Sequence, residues 1–220
     1  ADLRHVFTDA DVTLYPDIPE LIPTQNLPAH HHYIGAVPWS PAVAHPEWWN
    51  QIPDDRPTIY VTLGSSGNGE LLPLIARALA DLPVNVLIAT AGKVGPDRFP
   101  KGMYVADFLP GDEACARSKL VICNGGSPTT HQALTAGVPV LGLASNSDQF
   151  LNMDGIVNAG AGKVLRAGSA TAQTIRKATT AILSHSDHAV AARLLADSFK
   201  KVSTCVSIHD LLIHTIPCRT

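Results

Sequence analysis

Residues 119–149 read KLVICNGGSPTTHQALTAGVPVLGLASNSDQ. The run 119–123 is apolar with β-branched residues, and it stops at Asn124-Gly125-Gly126, where side chains shrink or vanish. That pattern predicts a buried strand entering a tight glycine turn. Ser127 then offers an N-cap hydroxyl, Pro128 falls where the first turn of a helix tolerates proline, and 130–136 continues as a helix closed by Gly137. A second apolar run, 138–143, ends in the polar cluster Ser145-Asn146-Ser147-Asp148-Gln149. The stretch is therefore strand, glycine turn, helix, strand, polar turn.

Such a unit is suited to holding an anion at a helix start. Gly125 and Gly126 let a ligand come close to the backbone, and the unpaired N–H groups of a helix beginning near Ser127 attract negative charge, phosphate being the first expectation. In open parallel sheets ligands sit off the carboxyl ends of the strands. Residues 124–130 and 145–149 are therefore expected to border one crevice.

Composition narrows the function classes. The chain has 220 residues, 45% of them hydrophobic, enough for one large domain or a domain with an appendage. Lys and Arg number 16 against 19 Asp and Glu, with no basic run, which argues against nucleic acid as a partner. No apolar run has the roughly 18 to 20 residues that span a bilayer, so no transmembrane segment is expected. Cys115, Cys123, Cys205 and Cys218 form no C-x-x-C pair, which fits reduced, structural thiols in a cytoplasmic protein. The start Ala-Asp-Leu-Arg, lacking Met, reads as a processed or truncated product.

Residues 1–57 differ from the rest. The run 11–15, DVTLY, is a candidate strand, but Pro16, Pro19, Pro23, Pro28, Pro38, Pro41, Pro46, Pro53 and Pro57 prevent long regular elements. Trp39, Trp48 and Trp49 are expected to anchor this lead on apolar surface. His30-His31-His32 is expected to be an exposed loop, because adjacent side chains on a strand alternate and cannot converge on one metal ion.

From Thr58 the pattern becomes regular. Strands are predicted at 58–63, 84–89, 103–108, 119–123, 138–143 and 162–166, and helices at 70–81, 112–118, 149–159, 171–184, 189–202 and 207–214. The helix over 70–81 carries an apolar stripe at Leu71, Leu74, Ile75, Ala78 and Leu79, Asp112 is placed to cap the second helix, and Thr171 the one at 171–184. This alternation predicts an α/β fold: an open, Rossmann-like parallel sheet of about six strands with helices on both faces. The loop Gly64-Ser65-Ser66-Gly67-Asn68-Gly69 follows the first of these strands without the G-x-G-x-x-G spacing of a dinucleotide fingerprint.

The segment 107–149 resembles the donor-binding signature of GT-B fold nucleotide-sugar glycosyltransferases, the family of UDP-sugar transferases and macrolide glycosyltransferases. The resemblance rests on Asp107-Phe108-Leu109-Pro110, then Asn124-Gly125-Gly126-Ser127-Pro128-Thr129-Thr130-His131-Gln132-Ala133, then Gly137-Val138-Pro139, then Asp148-Gln149, with the family's separations kept. It covers about 58–216 and implies that 58–220 is the C-terminal, nucleotide-sugar donor-binding domain of a GT-B enzyme. Residues 1–57 are then the end of an acceptor domain, itself absent, and a Pro-rich interdomain linker.

The resemblance further implies that Phe108 stacks on the nucleobase, that the Leu109 backbone bonds its edge, and that Ser65 and Ser66 lie near the diphosphate. Gly126, Ser127 and Thr129 would bind phosphate oxygens, and Asp148 and Gln149 the sugar hydroxyls. Where the family has His this chain has Asn124, a donor without positive charge, and where the family has a ribose-binding Glu it has Gln132, with one acceptor oxygen in place of two. Each change is worth about 1 to 2 kcal/mol if no neighbour compensates. Pro128 replaces a common Gly. The implied activity is inverting transfer of a sugar from a nucleoside diphosphate, UDP being expected, to a hydroxyl of a small molecule or lipid. No metal or other cofactor is implied, and no catalytic base lies in this chain. The rivals are a pseudoenzyme that only binds nucleotide sugar and another GT-B enzyme such as a UDP-sugar epimerase. His131 and Cys123 are expected to pack in the core.

Overall fold

The computed structural model describes residues 10–37, 39–40, 42–202, 208, 209, 211 and 213. It divides into two compact units, Ala1–Val37 with Asp197–Thr220, and Pro38–Ala196. The Pro-rich lead is thus shared between them.

In the first unit β1 (Thr13–Tyr15) pairs in parallel with β2 (His31–Tyr33), Thr13 opposite His31 and Tyr15 opposite Tyr33. The second of these strands corrects the expected histidine loop. Alternation turns His31 inward, where it is buried with Nδ1 2.9 Å from the Tyr15 hydroxyl, while His30 stays exposed. Main-chain pairing with β1, invisible in local composition, is what makes the segment a strand. Ile18, Leu21, Ile34 and Phe199 are its buried apolar residues, and Ser198 Oγ donates to Glu20 Oε1 at 3.0 Å.

The second unit carries β3 (Thr58–Thr62), α1 (Leu71–Leu79), β4 (Asn85–Ala89), β5 (Tyr104–Ala106), α2 (Gly111–Ala116), β6 (Leu120–Cys123), α3 (Ser127–Thr135), β7 (Val140–Ala144), α4 (Ser147–Asn158), β8 (Gly162–Arg166) and α5 (Ala172–Ser184). A last helix, α6 (Ser186–Lys201), begins in it. The six strands form one parallel sheet in the order β5-β4-β3-β6-β7-β8. β3, β4, β6 and β7 are buried along their whole length, as parallel strands covered on both faces must be. Ile59, Val61, Ile88, Ile122 and Leu141 cluster with α1 and α5, while α3 and α4 pack on β6, β7 and β8 from the other side.

Several boundaries differ from the sequence reading. In α1 the buried residues are Leu72, Pro73, Ile75, Ala76, Ala78 and Leu79, so Ile75, Ala78 and Leu79 of the expected stripe are enclosed while Leu71 and Leu74 are only half-buried at its edge. Leu72, Ile75, Ala76 and Leu79 have i, i+3, i+4, i+7 spacing, the centre of one helix face that Pro73 and Ala78 flank. α2 begins at Gly111 with Pro110 as N-cap, so Asp112 sits in the first turn and does not cap it. The N-cap of α3 is Gly126, in extended conformation, and Ser127 is its first residue. α4 starts inside the expected polar turn: Asn146 caps it, its Oδ1 accepting from the Gln149 amide at 3.0 Å. β5 ends at Ala106, which leaves Phe108 beyond the strand.

α6 begins at Ser186, three residues before the expected 189, and β7 at Val140, two after the expected 138. The cap of α5 is as expected. Thr171 caps α5 through a reciprocal pair, Thr174 N–H to Thr171 Oγ1 at 3.2 Å and Thr171 N–H to Thr174 Oγ1 at 2.9 Å. Of the expected helix at 207–214, residues 207, 210, 212 and 214 lie outside the described residues.

Adjacent leucines test the corrected stripe. Leu72→Ala is expected to cost about 3 kcal/mol and Leu71→Ala about 1 kcal/mol in urea unfolding, since only the first side chain is enclosed. Equal losses would mean that α1 is rotated from the orientation described. Thr171→Ala is expected to cost about 1 kcal/mol by the same measurement.

Candidate functional site

The sheet order places β3 beside β6, and the chain leaves β3 toward one edge of the sheet and β6 toward the other. Between such strands no crossover fills the space at their carboxyl ends, so a crevice opens there. A cleft of about 150 Å³ occupies it, lined on one side by Gly64 and Ser65, on another by Asp107, Phe108 and Leu109, and on the third by Pro128, Thr129 and Gln132. Tyr60 and Thr62 form its floor at the end of β3, and Trp39 its rim.

The β3–α1 loop is held by Lys93, whose Nζ donates to the carbonyls of Ser65 at 2.7 Å, Gly67 at 2.6 Å and Gly64 at 3.3 Å. One ammonium thus gathers three carbonyls that would otherwise splay toward water, and it holds Ser65 at the cleft. Thr90 Oγ1 donates to Asp107 Oδ1 at 2.8 Å, and the Ala91 amide to the Asp107 carbonyl at 2.8 Å, which fixes the approach to Phe108. Ala91 takes a left-handed φ of 53° to do so. A non-glycine residue in that region is strained and persists where its surroundings hold it.

The glycine turn after β6 is built from within. Asn124 is buried; its Oδ1 accepts from the Gly126 amide at 3.2 Å and its Nδ2 donates to Ser66 Oγ at 3.2 Å, across the β3–β6 seam. Asn152 on α4 donates from Nδ2 to the Gly125 carbonyl at 2.7 Å and to Thr130 Oγ1 at 2.9 Å. Gly125, at φ 86°, has Met153 Cγ only 2.7 Å from where a Cβ would stand, so α4 presses on this turn directly.

Of the residues singled out from sequence, Ser65, Phe108, Leu109, Thr129 and Gln132 line the cleft, Phe108 more than half exposed and Leu109 buried. Asn124, Ser66 and Gly126 stand behind it in the network just described. Ser127 is exposed at the first position of α3. Asp148 is exposed on the first turn of α4, whereas Gln149 is buried, its Oε1 accepting from the Ser145 amide at 2.8 Å and hydroxyl at 3.0 Å. His131 and Cys123 are buried. Burial pushes the Cys123 thiol up to about 12 and raises that of Cys115 as well, so neither is a thiolate near neutral pH.

Sequence reasoning missed Lys93, Asn152 and Trp39. The helical spacing from Gln149 to Asn152 was a usable signal once α4 is started at Ser147. Lys93 had none, because its partners are backbone carbonyls of a distant loop. Trp39, like Trp48 and Trp49, was expected to anchor the lead on apolar surface; Trp49 is buried under the Arg117 guanidinium and Trp48 lies against Tyr104, but Trp39 is 68% exposed.

Asp107 is the one charged side chain among the described residues lining the cleft. Polar groups there are hydroxyls, amides and the start of α3, where Ser127 and Thr129 carry first-turn N–H groups and Pro128 carries none. Among the described residues, no group of three or more His, Cys, Asp or Glu is arranged to hold a metal, and no helix is long and apolar enough to cross a membrane.

Over residues 73–208 the chain matches the family model described as erythromycin biosynthesis protein CIII-like, C-terminal domain. It is 54% identical over 198 residues to a PGL/p-HBAD biosynthesis glycosyltransferase of Mycobacterium tuberculosis (strain ATCC 25177 / H37Ra), covering 90% of this chain and 46% of that protein. A PGL/p-HBAD biosynthesis rhamnosyltransferase of Mycobacterium bovis (strain BCG / Pasteur 1173P2) is 52% identical over 198 residues, 90% of this chain and 44% of that one. The chain spans about half the length of the curated relatives it matches. Among solved structures, the spinosyn rhamnosyltransferase SpnG superposes with a TM-score of 0.75 at 25% identity, over 91% of this chain and 56% of that one. The parallel sheet with its crevice at the β3–β6 seam is the Rossmann-like C-terminal half of a GT-B fold, and the chain belongs to the erythromycin biosynthesis protein CIII-like C-terminal domain family.

Proposed function

We propose that the sheet unit is the donor-binding domain of an inverting glycosyltransferase, taking a sugar from a nucleoside diphosphate, with UDP the expected nucleotide, to a hydroxyl of a small molecule or lipid. The observation that carries this reading is the cleft at the β3–β6 seam, where an exposed aromatic, Phe108, and the first turn of α3, through Pro128 and Thr129, line one small space. An aromatic face suits a nucleobase and a helix start suits a diphosphate. The relatives' names, a glycosyltransferase and a rhamnosyltransferase, support sugar transfer.

In this reading Phe108 stacks on the base, the Leu109 backbone bonds its edge, and Ser65 and Thr129 reach the diphosphate. Asp148 and Gln149 serve the sugar, with the carboxylate of Asp148 exposed for it and Gln149 setting the turn through Ser145. The acceptor oxygen attacks the anomeric carbon as the bond to the diphosphate breaks. The growing negative charge is met by the Ser127 and Thr129 N–H groups and the Thr129 hydroxyl, dipoles already in place, so the step does not require a metal. The acceptor-binding half and the catalytic base belong to the part of such enzymes that this chain does not span, with residues 1–57 at its junction. Buried Cys115 and Cys123 thiols support a cytoplasmic setting.

A second reading, a domain that binds nucleotide sugar without assisting departure of the diphosphate, draws on Asn124. Its amide is neutral and engaged at both ends, by Ser66 and Gly126, and so adds no positive charge to the site.

Calorimetric titration of the chain with UDP, dTDP and GDP is expected to give saturable binding of one nucleotide, unchanged by EDTA and about tenfold weaker in Thr129→Val, from loss of one hydrogen bond to a charged group. No binding of any of the three would sink the donor-site reading. Asn124→His separates the two readings. A site tuned around Asn124 is expected to lose affinity for its nucleotide severalfold as the Gly126 and Ser66 contacts go, whereas a gain in affinity would favour the non-catalytic alternative.

A further inference from the structure

Trp39 is 68% exposed at the rim of the cleft, an expensive place for an indole. The segment 39–40 is nonetheless secured twice, once at the Trp39 carbonyl and once at the Ser40 hydroxyl. Gln132 Nε2 donates to the Trp39 carbonyl at 2.8 Å, and the Gly111 amide donates to Ser40 Oγ at 3.1 Å. Gly111 also makes room for the first of these bonds: a Cβ there would lie 2.7 Å from both Nε2 and Oε1 of Gln132. Three separated stretches, 39–40, 111 and 132, therefore cooperate in setting one exposed aromatic beside the cleft that Phe108 also lines.

The amide at 132 is chemically required for this arrangement. A glutamine offers N–H donors to a carbonyl, whereas a glutamate carboxylate offers only acceptors and is repelled by it. The residue that sequence comparison presents as a lost acceptor for ribose is thus, in three dimensions, a donor to the segment preceding the sheet. Lining the same cleft, Trp39 and Phe108 make the kind of apolar surface on which a base stacks whatever its hydrogen-bonding edge.

We propose that Trp39 is a further nucleotide-binding residue, its indole forming with Phe108 the apolar wall for the base of a nucleoside diphosphate, and that Gln132 is the positioning residue that holds it there. This rests on the donor-site reading above. The division of labour is specific: Trp39 contributes stacking, and Gln132 acts on the ligand chiefly through Trp39.

The test uses the whole chain, titrated with UDP, dTDP and GDP as wild type, Trp39→Ala, Trp39→Phe and Gln132→Glu, with melting curves confirming that each variant is folded. For the nucleotide that binds, Trp39→Ala is expected to weaken affinity about tenfold and Trp39→Phe to stay within about twofold of wild type. Gln132→Glu is expected to weaken binding and, without ligand, to increase acrylamide quenching of tryptophan fluorescence, an increase that disappears in the Trp39→Phe background. Wild-type binding that Trp39→Ala leaves unchanged overturns this inference alone, as do equal losses in Trp39→Ala and Trp39→Phe, which exclude stacking. Unaltered quenching in Gln132→Glu overturns the positioning role. Wild-type protein that binds none of UDP, dTDP and GDP overturns the inference together with the donor-site reading.

Discussion

β3 and β6 are hydrogen-bonded neighbours although residues 63–119 lie between them in sequence and build α1, β4, β5 and α2 first. The chain runs outward from β3 in one direction, returns to the centre, and then runs outward from β6 in the other. Right-handed crossovers on opposite faces leave the space above that central pair uncovered. The cleft depends on this pairing, since it sets Thr129, on the helix after β6, beside Ser65 and Phe108, which follow β3 and β5 on the other side of the seam.

The walls of the crevice are held by polar groups spent on the protein itself. Lys93 binds loop carbonyls, Asn124 ties the glycine turn to Ser66, Asn152 ties it to α4, and Gln149 folds back on Ser145. Such contacts set the loops before a ligand arrives, which lowers the ordering cost of binding. They also change the meaning of two residues. Asn124 and Gln132 look like weakened ligand contacts when set against the family's His and Glu, yet each supports a neighbouring segment through both geometry and hydrogen-bond polarity.

Much of this was legible in the chain. The runs at 58–63, 85–89, 120–123 and 138–143 are buried on both faces and therefore read as uninterrupted strands, and the Thr171 cap is a local signal for a local structure. β2 was not legible, because three histidines have no strand pattern and only pairing with β1 orders them. The start of α4 was hidden for the opposite reason: Ser, Asn and Asp favour turns and helix caps alike, so composition could not separate Asn146 as a cap from Ser147 and Asp148 as helix.

The sequence by itself determined the alternation of strands and helices, the glycine turn after β6 and the residue types available to a ligand, since these follow from hydrophobic period and side-chain chemistry along a few neighbouring residues. Only the tertiary structure decided which of those residues face the cleft and which brace it. Asn124 and Thr129 are five positions apart and equally plausible as ligand groups, but one is buried against Ser66 and the other lines the crevice. Lys93 is tied to the site through carbonyls of a distant loop, and Trp39 through its own carbonyl, which accepts from the Gln132 side chain. Backbone partners carry no side-chain signature, so contacts of that kind are specified by the path of the chain in space and by nothing in the local sequence.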